Sequence, residues 1–150
     1  MPNEDHSRSP QALADAAAAS MLSRDSATAA LGIALVDVGP GHARMTMTVR
    51  GDMLNGHLTC HGGFIFALAD SAFAFACNSY NLNTVGAGCT IDYLAPGRLG
   101  DVLVAEGIEQ SLAGKSGIYD VKVSNQDGRL IALFRGKSIR IAGELVAFPG

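Results

Sequence analysis

Asp70 is the only charged side chain in the run from His61 to Cys77, which is otherwise rich in alanine and phenylalanine. At helical spacing Phe66, Asp70, Phe73 and Cys77 share one stripe, so the carboxylate is expected among apolar neighbours. An ionised carboxylate in such surroundings is costly unless paired or hydrogen-bonded. It is either a group of shifted pKa with chemistry to perform, or a residue on a half-exposed helix that meets solvent or caps a neighbouring segment. Gly62 and Gly63 stand where that helix begins. Backbone N–H groups at a helix start lack partners and lie at the positive end of the dipole, which is what an oxyanion hole needs. The same glycines also suit a tight turn into a packed helix. Asn55, in Leu54-Asn55-Gly56-His57, offers an amide that can donate to a carbonyl or steer a water, and it equally fits an Asn-Gly turn.

The other reactive residue types fit their usual chemistries poorly. His57 and His61 are four apart, yet Thr59, Cys60 and the glycines place them in a loop with no third ligand close by, so no metal site is expected. His61 is expected to orient the turn. Cys60 has no base placed for it and reads as a small buried hydrophobe. Ser71 directly follows Asp70 and points away from it, and no G-x-S-x-G is present, so a serine triad cannot be assembled. Neither Gly86-Ala87-Gly88 nor the stretch from Gly97 to Gly100 matches a phosphate-binding or dinucleotide fingerprint. Cations collect late, at Arg98, Lys115, Arg135, Lys137 and Arg140. Gly114-Lys115-Ser116-Gly117 reads as a tight turn that exposes a cation and backbone donors, suited to a phosphate or to plain solvation.

The elements that must position these residues follow from periodicity. Residues 1–10 are polar with two prolines and are expected to form a flexible terminus, ahead of a single domain over residues 11–150. Gln11–Ser23 reads as an Ala-rich helix, and Ser26–Leu31 as a short one closed by Gly32. Strands are expected over Ile33–Val38, Arg44–Arg50, Thr84–Leu94, Val102–Ser111 (with a bulge at Gly107), Ile118–Asn125 and Arg129–Ile141. The Asp127-Gly128 turn joins the last two. The apolar helix should run from about Gly63 to Tyr80. Two strands before this helix and four after it imply an α+β architecture in which an antiparallel sheet covers one long helix. Such a sheet leaves surface to bury by self-association.

Composition narrows the function classes. A net charge of −3 with no basic stripe argues against nucleic acid as a partner. The longest apolar stretch is interrupted by Asp70 and is shorter than the roughly 20 residues that span a bilayer, so no membrane partner is expected. Three widely spaced cysteines and no evident leader point to a cytoplasmic protein.

Several motifs together resemble one family. Asn55-Gly56-His57 followed by Cys60-His61-Gly62-Gly63-x-x-Phe66-x-Leu68-Ala69-Asp70 is similar to the hotdog-fold acyl-CoA thioesterases of the phenylacetate pathway. Ala76-Cys77-Asn78-Ser79, Cys89-Thr90-Ile91-Asp92-Tyr93-Leu94-x-Pro96-Gly97, Gly117-x-Tyr119-Asp120-Val121 and the stretch from Ala132 to Ser138 extend the resemblance over about Leu22 to Ile141. It implies a hotdog fold, a curved sheet wrapped around the central helix, and a homodimer with active sites at the interface, commonly paired into a tetramer. It implies hydrolysis of an aryl-acetyl CoA thioester, with coenzyme A part of the substrate and no separate cofactor. By position Asp70 matches the family's catalytic carboxylate, as general base or nucleophile. Gly62, with Gly63 and His61 beside it, matches the backbone donor, and Asn55 the residue that polarises the carbonyl from the partner chain. Lys115, Ser116, Arg135 and Lys137 are the candidates for holding the nucleotide end. Many relatives carry a serine near the start of the strand after the helix where this chain has Gly86-Ala87-Gly88; Thr90, a backbone group, or Asp70 with Asn55 alone must then hold the water. Competing expectations are a medium-chain or broad-specificity thioesterase and a non-catalytic acyl-CoA scaffold. The dehydratases of the same fold are disfavoured because their histidine pattern is missing.

Overall fold

The computed structural model describes residues 9–147. The expected flexible segment falls mostly outside these residues, but its last two members do not fray. Ser9 accepts a hydrogen bond from the Ala12 N–H, and Pro10 opens helix α1 (Pro10–Arg24). A serine cap followed by proline at the first helical position is a strong helix start, so the element begins one residue early. Helix α2 (Ser26–Leu31) is capped by Asp25 and ends at Gly32, which adopts the left-handed conformation (φ +67°) that glycine tolerates best.

Six strands follow the expected pattern: β1 (Ala34–Gly39), β2 (His42–Thr48), then helix α3 (Gly62–Cys77), β3 (Leu82–Tyr93), β4 (Val102–Ala113), β5 (Ser116–Ser124) and β6 (Leu130–Glu144). They form one antiparallel sheet in the order β1-β2-β4-β5-β6-β3. Alternate residues Ala43, Met45 and Met47 on β2, Leu103 and Ala105 on β4, and Tyr119, Val121 and Val123 on β5 are buried on the face that meets α3. This period-two pattern fixes the register.

Helix α3 is apolar around most of its circumference, and Ile65, Leu68, Ala69, Ala72, Phe73, Phe75 and Ala76 are buried. It packs most closely over β2, β4 and β5. Gly107 lies under it: a Cβ there would sit 3.1 Å from the Ala72 carbonyl oxygen. The expected bulge at Gly107 is instead between Glu109 and Ser111, and Gly107 serves close approach of helix and sheet. The helix also stops at Cys77 rather than Tyr80. Asn78 ends it by donating from Nδ2 to the carbonyls of Ala74 and Thr84 and accepting the Thr84 N–H at Oδ1. Phe73 and Phe75 are core residues at 2% exposure, and Phe66 is half-buried against Phe134. No helix among the described residues is long and apolar enough to cross a membrane.

Candidate active site

The loop from Leu54 to His61 is held almost entirely by its own hydrogen bonds. The Asn55 N–H donates to the Thr59 carbonyl (2.8 Å), and the Leu58 N–H to the Asn55 carbonyl (3.0 Å). Asn55 Oδ1 accepts from the N–H groups of His57 (2.9 Å) and Thr59 (3.2 Å) and from Thr59 Oγ1 (3.3 Å). Three donors on one oxygen fix the orientation of the carboxamide, and Nδ2 has no acceptor among the described residues. The loop is anchored by Cys60 N–H to the Gly97 carbonyl and His61 N–H to the Met53 carbonyl, both 2.8 Å.

His61 is the N-cap of α3, and its Nδ1 accepts the Gly63 N–H at 3.1 Å. That bond requires the neutral ring with its proton on Nε2. It also consumes the Gly63 donor, leaving the Gly62 N–H as the one with no acceptor among the described residues. Tyr93 comes from the end of β3 and donates its hydroxyl to the Gly62 carbonyl at 2.9 Å. Its ring leaves no room for a side chain at Gly62, where a Cβ would lie 3.0 Å from Tyr93 Cζ. Gly62 and the Asn55 amide border a common cleft of about 370 Å³, with Thr59, Cys60, Ile65 and Tyr93 among its walls. Two preorganised donors at one cleft can hold a developing oxyanion. Burial pushes the Cys60 thiol up to about 11, so it stays protonated and is no nucleophile at neutral pH.

Asp70 is not in this cleft. It lies eight positions after Gly62 on α3, which is about 12 Å of axial rise. Its carboxylate has no hydrogen-bond or ionic partner among the described residues. It is exposed on the single subunit rather than enclosed, yet the apolar atoms around it still raise its pKa by desolvation. Ser71 turns away and donates to the Ala67 carbonyl at 2.7 Å.

The four candidate nucleotide contacts do not converge. Ser116, Arg135 and Lys137 lie on the outer face of the sheet, where Arg135 already makes a two-pronged pair with Asp120 (2.6 and 2.8 Å). Lys115 sits on the β4–β5 hairpin facing the C-terminal end of α3, beside Arg140. Among the described residues no three histidine, cysteine or acidic side chains cluster as a metal site would require.

Two features escaped the sequence reading. Tyr93 has no local signal, since its partner is 31 residues away. Leu58 takes a positive φ (60°) while 73% exposed, an uncommon state for a branched side chain. The Asn55-Gly56 turn signal points to the place but not to the residue.

Comparison with known proteins places the chain in a family. The thioesterase superfamily model matches residues 57–132. The acyl-coenzyme A thioesterase PaaI of Escherichia coli K12 is 48% identical over 125 residues, covering 83% of this chain and 89% of the relative. The solved structure of the E. coli PaaI protein from the phenylacetic acid degradation operon superposes with a TM-score of 0.89, covering 91% of this chain and 99% of that one. A Streptococcus mutans protein, smu.793, solved bound to acetyl CoA, is 28% identical with a TM-score of 0.72, covering 75% and 90%. The chain belongs to the thioesterase superfamily, as a hotdog-fold enzyme of the phenylacetate branch.

Proposed function

We propose that the protein hydrolyses an aryl-acetyl CoA thioester of the phenylacetyl type to the free acid and CoA, in a site shared between two copies of the chain. The separation of its chemistry on one subunit carries this reading. The free donor of Gly62 and the uncommitted carboxylate of Asp70 stand about 12 Å of axial rise apart along one helix, too far to act on the same carbonyl. A second copy docked on α3 and on the open edge of β3 brings its own Asp70 to the Gly62 cleft. Such an edge favours covering: β3 is twelve residues long, borders only β6, and carries Gly86, Ala87 and Gly88 exposed at a register shift. Two such dimers then form a tetramer.

In the joined site the thioester carbonyl accepts from the Gly62 N–H and Asn55 Nδ2. Asp70 of the other subunit takes a proton from water, the resulting hydroxide attacks the carbonyl carbon, and the oxyanion rests on the two donors. Collapse breaks the C–S bond, and the proton on Asp70 passes to the departing thiolate. His61 acts on this step as a positioning residue through Gly63 and the helix start. Ser116 and Lys137, with Arg135 once its pair with Asp120 opens, hold the nucleotide end on the outer face. The relatives' acyl-CoA thioesterase name and acetyl CoA ligand support the substrate class, and a CoA substrate suits a cytoplasmic enzyme.

Thiol release from phenylacetyl-CoA and hexanoyl-CoA, by the wild type beside Asp70→Asn, tests the reading. Turnover with phenylacetyl-CoA preferred and a loss of at least about 10²-fold in Asp70→Asn is the expected result for a lost general base. Equal turnover of both thioesters makes it a broad-specificity enzyme. Tight binding without thiol release makes it a scaffold.

A further inference from the structure

The C-terminal end of α3 covers a second cavity of about 210 Å³, bounded by the β4–β5 hairpin, the start of β3 and the end of β6. Cys77, Leu82, Leu112 and the ring of Tyr119 supply apolar wall. Lys115 and Arg140 also line it, and the Arg140 N–H donates to the Lys115 carbonyl at 2.8 Å, which holds the two backbones together at its rim. Neither side chain has an acidic partner among the described residues, whereas Arg44, Arg50 and Arg135 each have one. Adjacent like charges are unfavourable, and no lining residue is acidic. Glu109, the acid behind Tyr80 and Tyr119, already accepts from both of their hydroxyls (2.9 and 3.1 Å).

A third polar group faces the same space. Ser138 is 1% exposed and lines the cavity, and its hydroxyl has no hydrogen-bond partner among the described residues. It stands two residues before Arg140 on one face of β6, directly over Gly117, where a Cβ would lie 2.6 Å from Ser138 Oγ. A hydroxyl that opens into the cavity without a partner in the chain is free to pair with a ligand atom there.

We propose that this cavity is a binding site for one small carboxylic acid with a compact apolar or aryl body. The body packs on Cys77, Leu82, Leu112 and Tyr119. The carboxylate accepts from Lys115, Arg140 and the Ser138 hydroxyl. The volume is below the roughly 300–1,000 Å³ of drug-sized sites, so it admits a single small molecule and excludes the nucleotide half of CoA. Because the argument uses no residue of the Gly62 cleft and no turnover at Asp70, it goes beyond the thioesterase reading.

Isothermal titration calorimetry of the full chain with phenylacetate, hexanoate, inorganic phosphate and CoA tests it, using wild type, Arg140→Glu and Leu112→Trp. Both acids are expected to bind the wild type and to weaken at least about tenfold in Arg140→Glu, the effect of losing a charge-assisted bond. Leu112→Trp, changed at a half-exposed wall, fills the cavity and blocks the acids without touching a charge. Thiol release by Arg140→Glu should stay within about twofold of wild type, since the residue lies outside the proposed reaction centre. The proposal is overturned if no acid binds at millimolar concentration, or if the acids bind both variants as they bind the wild type. It is overturned equally if only phosphate or CoA depends on Arg140. The heat of binding is read without catalysis, so its failure and the failure of the thioesterase reading are separate results.

Discussion

The loop before α3 and the middle of α3 are built on opposite terms. In the loop, Asn55 Oδ1 takes three donors, His61 Nδ1 takes the Gly63 N–H, and Tyr93 takes up the Gly62 carbonyl. The Gly62 N–H and Asn55 Nδ2 have no acceptor among the described residues, and both residues line one cleft. Asp70 has no partner among the described residues and is exposed on the single chain. The difference teaches that the donors are fixed by the single chain while the carboxylate is left uncommitted, which is why the proposed reaction brings it from a second chain. Oxyanion donors gain from rigidity, because they then cost no reorganisation during reaction. A general base needs access to water and an intermediate pKa, which partial rather than full burial provides.

Substitutions at Asn55 separate the loop's two duties and carry the largest expected effect. Asn55→Asp keeps an acceptor for His57 and Thr59 but loses the Nδ2 donor, so the loop should survive while kcat falls about 10²–10³-fold, as for a lost oxyanion donor. Asn55→Ala removes both duties, and its melting temperature should drop as well. Equal melting temperatures for the two variants would show that Oδ1 does not hold the loop.

Mixing inactive chains tests whether the two regions meet only across subunits. Asp70→Asn and Asn55→Asp homodimers are each expected to be nearly inactive. After co-refolding in equal amounts, half of the dimers are mixed and each carries one intact site of two, so activity should recover to about a quarter of wild type. No recovery, with mixed dimers shown to be present by mass, would place both residues in the site of one chain.

The pH dependence gives a smaller and graded contrast. Desolvation raises the pKa of Asp70 above the ordinary carboxylate value, so the acid limb of kcat/KM should lie above the usual carboxylate range, with activity falling tenfold per pH unit below it. Stability moves the other way. A carboxyl whose folded pKa is raised binds its proton more tightly when folded, so its contribution is greatest below the unfolded pKa and is lost as pH rises through the folded one. Asp70→Asn should therefore flatten this slope and melt slightly higher than wild type at neutral pH. A wild-type stability curve identical to that of Asp70→Asn across this range would remove the claim of desolvation.

The same contrast explains what was legible in the sequence. Groups whose meaning is local could be read: the glycines at the start of α3, Gly32 closing α2, the Asp127-Gly128 turn, and the period-two burial of β2. Even the separation of Asp70 from Gly62 is a matter of helical rise. Features that depend on a distant element could not be read. Gly107 has the look of a bulge until α3 lies across it, and Asn78 has no visible reason to end the helix until Thr84 of β3 arrives. His61, expected to orient the turn, does so as the N-cap of α3, although histidine is an unusual residue there. The late cations are close in sequence but alternate along β6, so that Arg135 and Lys137 face outward while Ser138 and Arg140 face in.

Gly136 offers the mildest perturbation, because it acts on Phe73, three residues after Asp70 on α3, and leaves both chemical regions intact. Phe73, one turn after Asp70, lies flat enough on β6 that a Cβ at Gly136 would stand 2.8 Å from three of its ring carbons. The ring cannot simply swing aside, since Tyr119 and Phe134 hold it with centroids 5.7 Å away on either contact. Gly136→Ala should therefore overpack this cluster and cost about 1–3 kcal/mol of stability. Any displacement of Phe73 is transmitted to α3 at the turn that carries Asp70, so kcat should fall severalfold while the loop donors stay in place. The double variant Gly136→Ala/Phe73→Leu removes the clashing ring atoms and should recover part of both losses. An unchanged melting temperature in Gly136→Ala would mean that α3 is free to lift from β6, in which case the helix is not the rigid ruler that keeps Asp70 and Gly62 of one chain apart.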